Sequence, residues 1–197
     1  MPRPKIHDDA LRTTLIDAAG AKITAEGYSA LSLRRLAADV GTSTTAVYSL
    51  FGGKPGLLRE LYREAFRRFG EHLNQVRPSD DPVDDIVRLG HAYRASALDD
   101  PHLYAVMFGP RHPSQEPDEQ GAAEAAETFV PLLDAVRRAV DSGAFRPLDP
   151  ALIATALWAG VHGLVSLELG QFLPPQAGAP ADVFSTAIRA GVDAWRT

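Results

Sequence analysis

The chain has 197 residues, of which 45% are hydrophobic and 23% are charged, a balance typical of a soluble globular protein. It contains no cysteine, which excludes disulfides, thiolate catalysis and cysteine-ligated metal sites. The N-terminus is charged and lacks the apolar stretch of a signal peptide, and we find no run of about 18 apolar residues. We therefore expect a cytoplasmic protein that does not cross a membrane.

The net charge of −5 is unevenly distributed along the chain. Residues 1–76 carry 11 basic and 8 acidic side chains, whereas residues 77–197 carry 9 basic and 17 acidic ones. A mildly basic N-terminal part joined to an acidic remainder fits a nucleic-acid reader attached to a module with another function. The contrast is modest, so the assignment depends on the motifs.

Helical periodicity predominates from the start of the chain, and no segment alternates as a strand does, so we predict an all-α fold. The first predicted helix ends at Gly27, a residue suited to the left-handed position that follows a helix. The pattern then predicts a short helix after Ser32, a turn at Gly41 and a second short helix over residues 44–51. A long helix follows, from Lys54 to about residue 76.

Three Asp-Pro pairs mark helix starts in the rest of the chain, because aspartate caps a helix and proline suits its first position. We predict helices over about 82–98, 101–108, 119–142, 150–171 and 181–196. Pro131 should kink or break the third of these. The proline-rich segment over 109–120 is predicted to be a loop.

Residues 32–58 contain the most informative pattern. A short helix, a glycine turn and a second short helix form a helix-turn-helix, whose second helix enters the major groove of DNA. That helix presents Thr44, Thr45 and Tyr48 outward, and such hydroxyl and methyl groups contact base edges and phosphates. The pattern therefore predicts DNA binding.

The same stretch resembles the DNA-binding domain of the TetR family of bacterial repressors. The residues that match the family are Gly27, Leu36, Ala37, Gly41, Ser43, Tyr48, Phe51, Lys54 and Leu57. The resemblance implies a set of DNA-binding residues, with Thr44 and Thr45 at the start of the recognition helix and with Tyr48 and Lys54 on phosphates. The full implied set is Ser32, Arg34, Arg35, Ser43, Thr44, Thr45, Tyr48 and Lys54.

Some of these residues also have simpler interpretations. Ser32 and Ser43 could serve only as N-caps, Tyr48 could pack its ring on the core, and the arginines could be solvated. Leu50 departs from the family pattern, in which an aromatic residue or histidine is frequent, and this removes one phosphate contact.

The second half resembles one TetR C-terminal class, the Trp-His-Gly class, through Trp158, His162 and Gly163 and through residues 101–108. Trp158 and His162 are four residues apart and share a helix face. They are either packed core or part of the wall of a ligand pocket. The candidates for lining an apolar pocket are Tyr93, Tyr104, Met107, Phe108, Phe129, Trp158 and His162, with plain core as the alternative for each.

The resemblance further implies two domains, a helix-turn-helix domain over 1–56 and a helical ligand-binding and dimerisation domain over 57–197. It implies a homodimer held by the last two helices. The residues expected at that interface are Leu152, Ala156, Leu164, Phe184, Ile188 and Trp195.

We therefore expect a transcription repressor that binds a palindromic double-stranded operator and is released by a small apolar or aromatic effector. An enzyme is disfavoured, and no metal or cofactor is expected, because the six histidines are scattered and no phosphate-binding loop or nucleophile elbow occurs. The alternative left open is a DNA-binding regulator without a small-molecule ligand, controlled by a protein partner or acting constitutively.

Overall fold

The computed structural model describes residues 5–109 and 118–197, with only the backbone described at residues 5–7. Within these ranges every regular element is a helix, which confirms the all-α prediction. The helices are α1 (Lys5–Glu26), α2 (Leu33–Asp39), α3 (Thr44–Phe51), α4 (Lys54–Asn74), α5 (Pro82–Asp99), α6 (Pro101–Phe108), α7 (Glu119–Glu127), α8 (Val130–Asp141), α9 (Pro150–Leu169) and α10 (Pro180–Asp193).

The Asp-Pro pairs start helices as predicted. The carboxylates of Asp81, Asp100 and Asp149 accept hydrogen bonds from backbone N–H groups of the first turns, at 2.9, 3.1 and 2.9 Å. These bonds satisfy N–H groups that have no partner inside the helix.

The predicted helix over 119–142 is broken into α7 and α8, and Pro131 lies in the first turn of α8. Proline is tolerated at that position because the N–H group it lacks would have no intrahelical partner there. Most of the loop predicted over 109–120 lies outside the described residues.

The contacts divide the chain into two compact units, whose boundaries fall within α4, between α5 and α6, and within α7. The first unit comprises the described residues of 1–67 and 100–125, and the second comprises 68–99 and 126–197. The division into domains at residue 56 is not tested by this grouping and stays a prediction.

The core of the first unit forms around α1, which contacts α2, α3 and α6. Leu15, Ala19 and Ile23 lie on one face of α1 and are buried, as their spacing of four residues predicts. The core of the second unit lies where α5, α8, α9 and α10 pack together.

The inner face of α10 differs from the prediction. Phe184 and Ile188 are 2% and 5% exposed and pack inside the second unit, so their assignment to a dimer interface is wrong. The Phe184 ring packs edge-on against His91, with 5.5 Å between ring centroids. Ile188 packs against Gly90 on α5, where a side chain as small as a methyl group would collide with it. Periodicity identified the apolar residues of α10 but could not tell which of its faces is the inner one.

Helix α9 is long and apolar enough to cross a membrane by length and composition alone, contrary to the expectation that no such stretch exists. Core helices of soluble proteins pass the same test. Less than a third of this apolar window is buried in the single chain. Most of the apolar surface of α9 is therefore left uncovered in the single chain.

Candidate nucleic-acid interface

The turn between α2 and α3 depends on a glycine. Gly41 has φ of 69°, in the left-handed region that side chains disfavour, although there is open space where its Cβ would be. Its N–H donates to the carbonyl oxygen of Ala38 at 3.1 Å, and the N–H of Thr42 donates to that of Ala37 at 2.8 Å. The backbone conformation, and not the available space, thus requires glycine here.

The two serines at the helix starts differ. The Oγ of Ser43 accepts a hydrogen bond from the N–H of Ala46 at 3.1 Å and caps α3. Ser32 occupies the corresponding position of α2, but its side chain makes no capping bond. Ser43 therefore stabilises the recognition helix, whereas the Ser32 hydroxyl has no capping role.

Buried side chains hold α2 and α3 together. Leu36, Ala37 and Val47 are at most 1% exposed, and Phe51 closes the cluster at the end of α3. The small side chain of Ala37 lets the two helices approach closely. The outer surface of α3 is consequently held in a defined orientation relative to α2.

The outer surface of this helix pair is polar and basic. Tyr48 is 55% exposed, so the interpretation that it packs on the core is wrong. Arg34, Arg35 and Thr45 are also exposed. In the described part of the chain neither arginine has a hydrogen-bond or ion-pair partner, which leaves both guanidinium groups available to an anion.

Lys54 is half-buried at the start of α4. Its Nζ donates to the carbonyl oxygen of Tyr28 at 2.8 Å, which ties α4 to the turn after α1. An ammonium group carries three protons, so this bond leaves others for a phosphate at the same helix N-terminus.

Gly56 is a residue that the sequence analysis missed. A methyl group at its Cβ position would lie 1.7 Å from the carbonyl oxygen of Phe51, the last residue of α3. The first turn of α4 thus packs directly on the backbone that ends the recognition helix. The Gly-Gly-Lys-Pro-Gly run at residues 52–56 was the available signal, but only its role as a helix break was recognised.

Four of the seven predicted ligand residues lie together in the second unit. The hydroxyl of Tyr93 and Nδ1 of His162 are 2.9 Å apart, and Trp158 packs near both His162 and Phe129, with ring centroids 6.2 and 6.0 Å apart. Phe69, which the sequence analysis did not select, packs edge-on against Tyr93. We call these five residues the aromatic cluster. Burial lowers the pKa of His162, so its imidazole is neutral at pH 7 and serves as a hydrogen-bonding group.

The remaining three ligand candidates belong to the first unit. Tyr104 and Met107 are 6% and 4% exposed, and Phe108 packs between Tyr104 and Phe66 at centroid distances of 5.1 and 6.0 Å. The structure therefore does not place the seven candidates in one compact unit.

A groove of about 360 Å³ in the second unit is lined by none of the seven candidates. Its walls include Leu73, Val76, Leu89, Val130, Asp85 and Arg138. Asp85 is 1% exposed and accepts hydrogen bonds from Ser79 Oγ at 2.6 Å and from Arg138 Nη2 at 2.5 Å. Burial alone would raise the pKa of Asp85, but the bonds from Ser79 and Arg138 outweigh it and keep the pKa below its usual value. This carboxylate fastens the linker between α4 and α5.

The helices of the second unit are also joined by Arg94 on α5 and Glu168 on α9. Nε and Nη2 of Arg94 donate to the two carboxylate oxygens at 2.7 and 2.5 Å. The hydrogen bond to Glu168 is the main reason that the pKa of Arg94 is raised. Both side chains are largely buried, so the pair fixes the crossing of α5 and α9.

Comparison with known proteins gives two matching family models. The model described as bacterial regulatory proteins, tetR family, matches residues 15–61. The model described as the tetracyclin repressor-like C-terminal domain matches residues 86–191, which is more than half of the chain. Both matches are to regulators and not to enzymes.

Relatives and solved structures agree with these matches. The HTH-type transcriptional regulator Rv1816 of Mycobacterium tuberculosis (strain H37Rv) is 24% identical, and the alignment covers 92% of this chain and 90% of that protein. A structure of a protein of unknown function from Rhodococcus sp. RHA1 is 25% identical, with a TM-score of 0.79 over 95% of this chain and 96% of that one. AibR, solved in complex with isovaleryl coenzyme A and operator DNA, shares the fold at 16% identity, with a TM-score of 0.72 over 92% of this chain and 98% of that one.

Proposed function

Because this chain belongs to the TetR family of transcription regulators, we propose that it is a cytoplasmic, homodimeric repressor that a small apolar or aromatic molecule releases from a palindromic operator. The observation that supports DNA binding best is the polar surface around α3. There Arg34, Arg35 and Tyr48 are exposed, and neither arginine is engaged within the described part of the chain.

Each group on this surface has a proposed role. Thr44 and Thr45 at the start of α3 read base edges, since that end of a recognition helix lies deepest in the major groove. The other groups position the helix on the backbone through phosphate contacts, which add affinity without selecting a sequence. These are Ser32, Arg34, Arg35, Ser43, Tyr48 and Lys54.

The outer faces of α9 and α10 are proposed to form the dimer interface. Leu152 and Leu167 on α9 are 56% and 43% exposed. Apart from the backbone of the same helix, no atom of the described residues lies within 4 Å of the positions where Gly160, Gly163 and Gly191 would carry a Cβ, so both helices present open surfaces there. A second copy of the helix pair can approach such a surface closely and cover the apolar side of α9.

The aromatic cluster is the proposed effector site. Trp158 is 38% exposed, and the hydrogen-bonded pair of Tyr93 and His162 offers polar groups that could orient a ligand. AibR, which has the same fold, binds an acyl-coenzyme A together with operator DNA, which illustrates that the fold accommodates both kinds of ligand. Tyr104, Met107 and Phe108 remain further candidates for effector contacts.

The proposed mechanism is a shift between two populations of the dimer. Two recognition helices must lie about 34–36 Å apart to enter successive major grooves. An effector that prefers a differently spaced form lowers the DNA affinity, and a coupling of about 1–3 kcal/mol changes that affinity from several-fold to about a hundred-fold.

DNA binding is tested by selecting binding sites from random duplexes with the full-length protein. We expect a palindromic consensus and a strong decrease of affinity with salt, as phosphate contacts require. Arg34→Ala should weaken binding, whereas Arg137→Ala, which removes an exposed arginine from the second unit, should not. The DNA-binding proposal fails if no sequence is enriched, or if both variants bind as the unmodified protein does.

The effector proposal is tested by thermal-shift screening with apolar and aromatic compounds, followed by DNA-release assays. A compound that stabilises the protein and releases DNA should lose its effect in Trp158→Ala but keep it in Phe172→Ala, which removes an exposed aromatic ring elsewhere. If no compound releases DNA from a protein that binds its operator, a regulator without a small-molecule ligand is the better description.

A further inference from the structure

The carbonyl end of α3 is held by a side chain from α1. Nη2 of Arg12 donates to the carbonyl oxygen of Leu50 at 3.2 Å, and its guanidinium group lies 5.1 Å from the centroid of the Phe51 ring. The last carbonyl groups of a helix lack intrahelical partners and carry partial negative charge, which a guanidinium group complements. Arg12 therefore contacts both of the final residues of the recognition helix.

Arg12 is also the first member of a chain of ion pairs. Its Nη1 donates to Oε2 of Glu60 on α4 at 2.9 Å, and Oε1 of the same carboxylate lies 3.4 Å from Nη1 of Arg63. Nη2 of Arg63 in turn pairs with Oδ2 of Asp118. Asp118 accepts a hydrogen bond from the N–H of Gly121 at 2.9 Å and so caps α7. We call Arg12, Glu60, Arg63 and Asp118 the ion-pair chain, and all four lie in the first unit.

The two arginines share the carboxylate of Glu60. Each of its oxygens faces a different guanidinium group, and the bond to Arg12 is the shorter of the two. Arg63 also bonds to Asp118, and this bond is the main cause of the lowered pKa of Asp118 and of the raised pKa of Arg63. Within the described residues the buried Nε of Arg63 has no hydrogen-bond partner, so the guanidinium group is held through the bonds of its other nitrogens to Glu60 and Asp118.

We propose that the ion-pair chain couples the start of α7 to the recognition helix, with Arg12 as the residue that positions α3 for DNA. When Asp118 loses its charge, Arg63 pairs more strongly with Glu60, less of the charge of that carboxylate is left for Arg12, and the support of the end of α3 weakens. Operator affinity then depends on a carboxylate that makes no contact with DNA. The inference rests on the proposed DNA-binding function.

Asp118→Asn is the informative perturbation, because asparagine caps a helix as well as aspartate does but carries no charge. Removing a negative charge should strengthen binding to DNA if only the overall field mattered. Weaker operator binding by Asp118→Asn would therefore be opposite in sign to the effect of the overall charge. Since an exposed ion pair contributes little to stability, we expect operator binding to weaken only about three-fold.

The experiment measures the dissociation constants of the full-length protein and its variants for the selected operator and for an unrelated duplex, with melting temperatures alongside. Asp118→Asn should weaken operator binding, while Asp118→Glu, which keeps the charge, and Asp134→Asn, an exposed ion-pair carboxylate of the second unit, should not. Arg12→Gln should weaken operator binding more than binding to the unrelated duplex. In the double variant Arg12→Gln/Asp118→Asn, the effect of Asp118→Asn should disappear, because the group it acts through is gone.

Additive effects in the double variant, or unchanged or stronger operator binding by Asp118→Asn, would overturn the coupling while leaving the proposed function intact. If the unmodified protein selects no operator, the proposed function fails and the coupling falls with it.

Discussion

Gly56→Ala is the substitution for which the structure gives the sharpest expectation. Its added methyl group would lie 1.7 Å from the carbonyl oxygen and 2.9 Å from the carbonyl carbon of Phe51. Both atoms belong to backbone and cannot move aside as the end of a flexible side chain can. The first turn of α4 and the end of α3 must therefore separate.

Two effects of opposite sign determine how much Gly56→Ala changes the free energy of unfolding. Replacing glycine by alanine inside a helix gains about 1 kcal/mol, because the unfolded chain loses freedom. Overpacking costs about 1–3 kcal/mol when side chains can adjust, and a clash with backbone belongs at the upper end of that range. We expect a net loss of about 2 kcal/mol, which lowers the melting temperature of a chain of this length by about 4–8 °C.

The matched control is Gly20→Ala, which makes the same change within α1. There the methyl group would meet Leu103 and Leu61 at 3.5 and 3.6 Å, which is ordinary contact. Only the stabilisation from replacing glycine by alanine in a helix remains, so this variant should melt at the same temperature as the unmodified protein or a few degrees higher. Differential scanning fluorimetry measures both, and fluorescence anisotropy with the operator should show that only Gly56→Ala binds more weakly. Equal melting temperatures for the two variants would refute the reasoning.

Three further predictions concern the other surfaces. Lys54→Ala should weaken binding to all duplexes and reduce the slope of log affinity against log salt concentration by about one unit per half-site. An unchanged slope would show that Lys54 contacts no phosphate. If the protein forms the proposed dimer, Leu152→Glu should convert it to monomer in light scattering, while Leu98→Glu, at another exposed leucine, should not. A dimeric Leu152→Glu would place the interface elsewhere. Because burial lowers the pKa of His162, the unfolded chain takes up its proton first as the pH falls below about 6.5, and the folded state then loses stability. Between pH 7.5 and 5.5 the melting temperature of His162→Gln should therefore fall less than that of the unmodified protein. The control His102→Gln, at an exposed site, should show the same fall as the unmodified protein.

Local signals in the sequence predicted the helices well. The limits of α3 and α6 agree with the prediction because a serine or aspartate cap starts each helix and a glycine follows its end. The helix-turn-helix was recognised because Ser43, Gly41 and the buried Leu36 and Val47 act within about 12 residues of one another. Such short-range chemistry does not depend on how distant segments meet.

Features that depend on distant segments were not predicted. Phe184 is an apolar residue on an amphipathic helix, but only the position of α5 shows that its ring faces inward. Tyr104 and Met107 are buried in the first unit because α6 packs against α1 there, and no local pattern in the sequence predicts that packing. Arg12 was missed for the same reason, since its contact with the end of α3 joins residues 38 apart in the chain. Gly56 contacts Phe51 locally, and it was missed because the glycine run at 52–56 was interpreted only as a helix break.

The bond between Lys54 and Tyr28 has a consequence for the entropy of DNA binding. A free lysine side chain samples many rotamers, and holding it on a phosphate costs up to about 2 kcal/mol of conformational entropy. The Nζ of Lys54 is already held 2.8 Å from a backbone carbonyl oxygen, so its four torsions are ordered before any DNA is present. Much of that ordering is then part of folding the first unit, and in the proposed DNA complex a phosphate would meet a preorganised cation. Arginine at this position would keep the charge but, with its longer planar guanidinium group, would not reproduce the same arrangement.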